Sequence, residues 1–163
     1  MKMNKREFLK SAAALSSLTL LPGCNWETSD QKRLRTAHIG VGNMGGEDLK
    51  AISSHEMVDV VALCDVDSNN LSAAAKLHPK AKLFSDYREL FKEMADGIDA
   101  VIVSTPDHTH APASMMAMDL DKAVYCQKPL THHVTEARAM NKLAADKKLV
   151  TQMGIQVHSF YDY

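Results

Sequence analysis

The chain is 163 residues long, 45% hydrophobic and 24% charged, with a formal net charge of −1. That length and composition fit one compact domain. The 19 Lys and Arg stand against 20 Asp and Glu without a basic patch or Arg-rich run, which excludes nucleic acid as a partner.

The amino terminus reads as an export signal. Lys2, Lys5, Arg6 and Lys10 form a basic start, and Ala12 to Leu21 is a mildly apolar run of Ala, Ser and Leu. That run is too short for a bilayer core, which takes about twenty residues. Asn4-Lys5-Arg6-Glu7-Phe8-Leu9-Lys10 resembles the twin-arginine export motif, with Lys5 in place of the first arginine. Leu21-Pro22-Gly23-Cys24 is similar to a lipoprotein cleavage box, so Cys24 is expected to carry a lipid; an ordinary signal cut nearby is the alternative. Residues 1–23 hold four Lys and Arg and one Glu, and without them the net charge is −4. Residues 24–34 are polar and aperiodic, as a tether would be.

From residue 35 to about 160, apolar runs alternate with helical patterns. Expected strands are Ala37–Val41, Val58–Cys64, Ala81–Phe84, Asp99–Ser104, Ala123–Cys126 and Leu149–Met153. Expected helices are Glu47–Ser53, Asn70–Leu77, Tyr87–Ala95, Ala111–Leu120 and Thr135–Lys147. Apart from Asp59, Val58–Cys64 is apolar and continuous rather than alternating, as a strand buried on both faces should be. This alternation predicts an α/β fold, a doubly wound parallel sheet of six strands with right-handed crossovers. Cys64 and Cys126 lack metal-ligand spacing and read as small buried residues, with a disulfide as the alternative. No His–carboxylate arrangement predicts a metal site. The chain stops at Tyr163 just after the sixth strand, which reads as the edge of a domain.

The most informative stretch is Gly40-Val41-Gly42-Asn43-Met44-Gly45, a glycine turn directly after the first strand. In a dinucleotide site Gly40 permits the tight turn, Gly42 lets the backbone approach the pyrophosphate, and Gly45 lets a helix pack closely. The helix N-terminus, through Asn43 and Met44, then faces the phosphates. Asp65 closes the second strand, where an acid accepts hydrogen bonds from ribose hydroxyls and repels a 2′-phosphate, favouring NAD over NADP. The fourth strand ends in Ser104-Thr105-Pro106-Asp107-His108-Thr109-His110, a turn that faces the ligand and in which Asp107 is set to cap the next helix. The fifth ends in Gln127-Lys128-Pro129, where the proline biases Lys128 toward an extended conformation that aims its cation into the cleft.

Gly40-x-Gly42-x-x-Gly45, Thr105-Pro106-Asp107-x-x-His110 and Gln127-Lys128-Pro129 together resemble the N-terminal domain of the Gfo/Idh/MocA family (glucose-fructose oxidoreductase/inositol dehydrogenase type). Met153-Gly154-Ile155-Gln156-Val157-His158-Ser159 is similar to the secreted branch of that family. The resemblance implies that Lys128 lies near the nicotinamide and the reacting hydroxyl, where a cation stabilises a developing alkoxide or relays its proton. It implies that His110 is the motif histidine and that Gln127, in place of a glutamate, reaches a ribose hydroxyl without bringing a charge. Gln156 is expected among the cofactor contacts. The family's second domain, which supplies the substrate pocket, the dimer contact and a catalytic histidine or aspartate, is absent from these residues.

The expected function is therefore an exported NAD-dependent oxidoreductase acting on a sugar, polyol or glycoside hydroxyl, a homo-oligomer in its full-length form. Free dinucleotide is scarce outside the cytoplasm, so the cofactor is expected to be loaded before export and held. Two alternatives stand beside it: NAD-assisted glycoside cleavage without net redox change, and an inactive nucleotide-binding fragment.

Overall fold

The computed structural model describes residues 32–155 and Val157. The export signal, Cys24, most of the tether, Gln156 and His158 lie outside the described residues.

Within them, β1 (Leu34–Ile39), β2 (Val58–Cys64), β3 (Lys82–Phe84), β4 (Ala100–Val103), β5 (Ala123–Gln127) and β6 (Thr151–Gly154) form one parallel sheet in the order β3-β2-β1-β4-β5-β6. The strand order reverses between β1 and β4, and open α/β sheets bind ligands beyond their carboxyl ends at that point. Register aligns those ends: Ile39 pairs with Cys64 and with Val103, Cys64 with Phe84, and Val103 with Cys126. Ser85, Asp65, Gly40, Ser104 and Gln127 therefore follow one another along a single rim.

The helices are α1 (Met44–Ser53), α2 (Ser68–Leu77), α3 (Tyr87–Met94), α4 (His110–Asp119) and α5 (Val134–Lys147). Alternating strand residues feed two cores. Leu63 packs with Leu49 of α1 and Ala74 of α2 on one face. Ala62 and Cys64 belong to the core on the other face, which also holds Leu90 and Phe91 of α3, Ala113 and Met118 of α4, and Met140 of α5. Side-chain caps start several helices: Asp67 accepts from the Asn69 N–H and Asp86 from the Arg88 N–H, each at 2.8 Å. At α5, Glu136 reaches back to the His133 N–H at 2.9 Å and completes a capping box.

β1 begins at Leu34, earlier than its apolar run suggests, because two arginines anchor its polar start. Arg33 donates to the Val58 carbonyl at 2.8 Å. Arg35 grips Asp99 at the head of β4 in a bidentate pair of 2.6 and 2.9 Å, with a third bond from its own N–H. That pairing holds the Asp99 carboxyl well below the usual carboxylate range.

Cys64 and Cys126 are buried free thiols. Their strands are separated by β1 and β4, about 14 Å at ordinary strand spacing, so no disulfide joins them. Burial pushes their thiols up to about 12 and about 11 respectively.

Candidate functional site

A cleft of about 560 Å³ opens over the carboxyl ends of β1, β2 and β4. Its floor is the glycine turn. Gly40 has φ +83°, and a Cβ there would lie 2.7 Å from the Ser104 carbonyl oxygen and 2.9 Å from the Thr105 nitrogen. Only glycine lets the turn swing back while lying against the end of β4. A Cβ on Gly45 would overlap the Gly40 carbonyl and lie 3.2 Å from Ser104 Cβ, so α1 docks on the turn itself. Asn43 adopts φ 47° as the turn enters α1, and Asn43 and Met44 both line the cleft. The helix therefore begins at the cavity wall, where first-turn N–H groups favour an anion.

Asp65 ties this floor to the second strand. Its Oδ2 accepts from the Val41 N–H and its Oδ1 from the Asp67 N–H, both at 2.9 Å. Each carboxylate oxygen keeps capacity for another donor, and Asp65 lines the cleft. On the opposite wall stand Ser104, Thr105 and Pro106. Thr105 Oγ1 is buried without a hydrogen-bond partner among the described residues. A glycine cradle, a carboxylate with acceptor capacity and an orphaned hydroxyl are what a dinucleotide's phosphates and ribose would meet, so the residues present fit that group.

Beyond β4 the rim is held by two buried polar contacts. Ser104 Oγ donates to Asp48 of α1 at 2.6 Å, and Gln127 Nε2 donates to the same carboxylate at 3.1 and 3.0 Å. Gln127 Oε1 then accepts the Lys128 N–H at 3.0 Å. His110, 1% exposed, bridges two loops: Nδ1 lies 2.6 Å from the Pro129 carbonyl and Nε2 2.6 Å from the Thr105 carbonyl. The Lys128–Pro129 peptide is cis.

A comparison with protein families matches residues 34–155 to the GFO_IDH_MocA oxidoreductase family, which has an NAD-binding Rossmann fold. The chain belongs to the Gfo/Idh/MocA family. It is 35% identical over 135 residues to a glycosyl hydrolase family 109 protein of Stenotrophomonas maltophilia, covering 77% of this chain and 29% of that protein. It is 30% identical over 117 residues to an inositol 2-dehydrogenase of Salmonella typhimurium, covering 71% and 34%. Among solved structures, an NAD-binding oxidoreductase from Klebsiella pneumoniae superposes with a TM-score of 0.66 at 28% identity, covering 75% of this chain and 34% of that one. A scyllo-inositol dehydrogenase from Lactobacillus casei, with bound NAD(H) and scyllo-inositol, reaches 0.72 over 81% and 39% at 22% identity, a likeness of fold. The chain thus spans about a third of the length of the curated relatives it matches.

In this Gfo/Idh/MocA chain the cleft gathers Gly40, Gly42, Asn43, Met44, Asp65, Ser104, Thr105 and Pro106, with Gly45 buried beneath them. Other expected residues sit elsewhere. Lys128 is exposed on the rim of β5 and does not line this cavity. Asp107 does not cap α4, because the Thr109 N–H bonds to the Pro106 carbonyl and a 3-10 turn over Asp107–Thr109 intervenes. Gln127 is 4% exposed, with both ends of its amide committed inside the fold rather than offered to a ribose. His110 has each ring nitrogen against a carbonyl and no face on the cleft, which is a bridging position rather than one for acid–base work.

Sequence reasoning missed Asp48, Asn70 and Tyr87. Asn70 and Tyr87 line the cleft. A Cβ on Gly42 would overlap the Asn70 side-chain amide, so here Gly42 also makes room for α2. The signal for Asp48 was present: it lies three residues after Gly45, on the helix face that must meet the sheet.

Proposed function

We propose that the chain is the cofactor half of an NAD-dependent oxidoreductase acting on a hydroxyl of a sugar, polyol or glycoside. The observation that carries this reading is the pairing of the Gly40–Gly45 cradle with Asp65 across one cleft at the strand-order reversal. A nicotinamide dinucleotide bound there would supply the hydride acceptor. The glycine turn and the start of α1 hold the pyrophosphate, and Thr105 Oγ1 gives its buried hydroxyl to the ligand. Asp65 accepts from the adenosine ribose, and its charge opposes a 2′-phosphate, which selects NAD over NADP. Lys128, carried on the rim of β5, offers an ammonium that would stabilise negative charge on the substrate oxygen or relay its proton. His110 keeps the Thr105 and Pro129 loops in register.

Incubating the chain with equimolar NAD and NADP and recording native mass spectra tests the cofactor reading. The NAD adduct is expected to dominate by about tenfold, the worth of one charge-assisted contact. Equal or stronger NADP binding overturns it.

The 35% identity to a glycosyl hydrolase family 109 protein favours a second reading, in which transient oxidation activates a glycoside for elimination and the hydride then returns. Product analysis on labelled glycosides with the full-length protein separates the two: a keto-sugar marks the oxidoreductase and a plain sugar the hydrolase.

We further propose that the full-length protein is exported by a twin-arginine route, lipidated at Cys24, homo-oligomeric, and loaded with cofactor before export. Dinucleotide that survives purification from the cell envelope supports this. Release of added NAD within seconds refutes permanent loading.

A further inference from the structure

Asp48 is 8% exposed and has no cationic partner among the described residues. A buried carboxylate of this kind persists only where donors converge on it. Here they come from two strands: Ser104 Oγ after β4, and Gln127 Nε2 at the end of β5. The network has one polarity. An ionised Asp48 can only accept, so Gln127 turns its NH2 inward, leaving its carbonyl to take the Lys128 N–H. A glutamate in place of Gln127 would accept from Lys128 but set a second carboxylate against Asp48. β6 closes the far side, where a Cβ on Gly154 would lie 3.1 Å from Gln127 Cδ.

We propose that Asp48 is a positioning residue: by fixing the Gln127 amide it holds the Lys128 backbone, and with it the Lys128 ammonium, on the rim of β5. The inference rests on the reading that Lys128 works at the substrate oxygen. It makes positions 48 and 127 a coupled pair in which charge and amide can be exchanged but not doubled.

The groups around Asp48 leave its polarity to be decided by this pair. β4 leads into Ser104 and Thr105, β6 presents Gly154, and α1 itself carries only the exposed Glu47 and Lys50 nearby. From β5, the Tyr125 phenol is raised above its ordinary value by burial, then by Asp48 and Cys126.

Amide hydrogen exchange at Lys128 reads the Gln127 bond directly, because the residue itself is exposed. The experiment uses the chain as it stands, Gln127→Glu, Asp48→Asn and the double variant, each at pH 6 and pH 8. In Gln127→Glu, protection at Lys128 is expected to fall about tenfold at pH 8, the worth of one hydrogen bond, and to recover at pH 6 as the carboxylates share a proton. In the double variant the amide now on α1 donates to the carboxylate now on β5, and that carboxylate still accepts from the Lys128 N–H. Protection therefore returns to within about threefold at both pH values. A purely structural role would show no such pH dependence and no rescue. Equal protection in all four proteins overturns the proposal, as does a double variant no better than Gln127→Glu. If Gln127→Glu fails to fold, a folded and protected double variant supports it and an unfolded one refutes it. Dinucleotide binding on the same samples separates the two levels. Exchange coupling without NAD binding leaves Asp48 as a positioning residue and removes the oxidoreductase reading. NAD binding without coupling does the reverse.

Discussion

Replacing Gly40 by alanine should damage the fold far more than the same change at Gly46, six residues on. At Gly40, φ is +83°, which costs an L-residue about 1–2 kcal/mol. The new methyl would also meet the Ser104 oxygen at 2.7 Å, the Ser104 carbon at 2.8 Å and the Thr105 nitrogen at 2.9 Å. All three are backbone atoms, so relief requires moving the end of β4, at roughly 1–3 kcal/mol for overpacking. The sum is about 2–5 kcal/mol, against roughly 5–15 kcal/mol for a typical domain. With about 4 °C per kcal/mol at this size, the melting temperature should drop by about 8–20 °C. At Gly46 the nearest atom is the Val41 oxygen at 3.3 Å, and the position is helical. Alanine there recovers up to about 1 kcal/mol of helix propensity, offsetting the tight contact. Thermal unfolding followed by circular dichroism compares the two. If Gly40→Ala melts within about 2 °C of Gly46→Ala, the account of the turn is wrong.

Three further outcomes are expected. Asp99 has its folded pKa depressed by Arg35, so its carboxylate stabilises above its unfolded pKa, and that contribution is lost as pH falls through the folded value. The gap in melting temperature between wild type and Asp99→Asn should be widest at neutral pH and close below about pH 4; a gap that grows in acid refutes this. His110→Phe keeps a ring in place and removes the imidazole N–H donation to the carbonyls of Thr105 and Pro129, which should cost about 1–3 kcal/mol in urea unfolding at unchanged m-value. An unchanged midpoint would show that those contacts contribute nothing. Iodoacetamide at about pH 8 should leave Cys64 and Cys126 unmodified in the native protein and alkylate both in denaturing urea, as mapped by peptide mass spectrometry.

The sheet was legible because buried parallel strands are written in continuous apolar runs, and each run from Val58–Cys64 onward became a strand within two residues of its expected edges. The shape of the glycine turn was legible because glycine spacing encodes backbone geometry, as at Gly40 and Gly45. What periodicity could not encode was polar chemistry inside the fold. Asp48 sits beside Glu47 in a polar pair that reads as solvated, yet one faces water and the other the sheet. Gln127 looked like a ligand contact because its strand-end position is right; where its amide points depends on Asp48, 79 residues away. Arg33 resembled a tether residue and Arg35 an ordinary domain start, since nothing local announces that Asp59 and Asp99 wait for them. His110 was recognisable by motif, whereas its two carbonyl partners come from loops that only the fold brings together.

Asp65 couples two properties usually treated as separate. The same carboxylate that faces the cofactor ribose in the proposed site also anchors the Val41 N–H inside the glycine turn. Any substitution meant to admit a 2′-phosphate would therefore loosen the loop that grips the pyrophosphate. An engineer wishing to switch the nucleotide would first have to supply a new acceptor for Val41. Natural drift would face the same two-step path, with a poorly binding intermediate between, so the NAD preference proposed for this site would be slow to change.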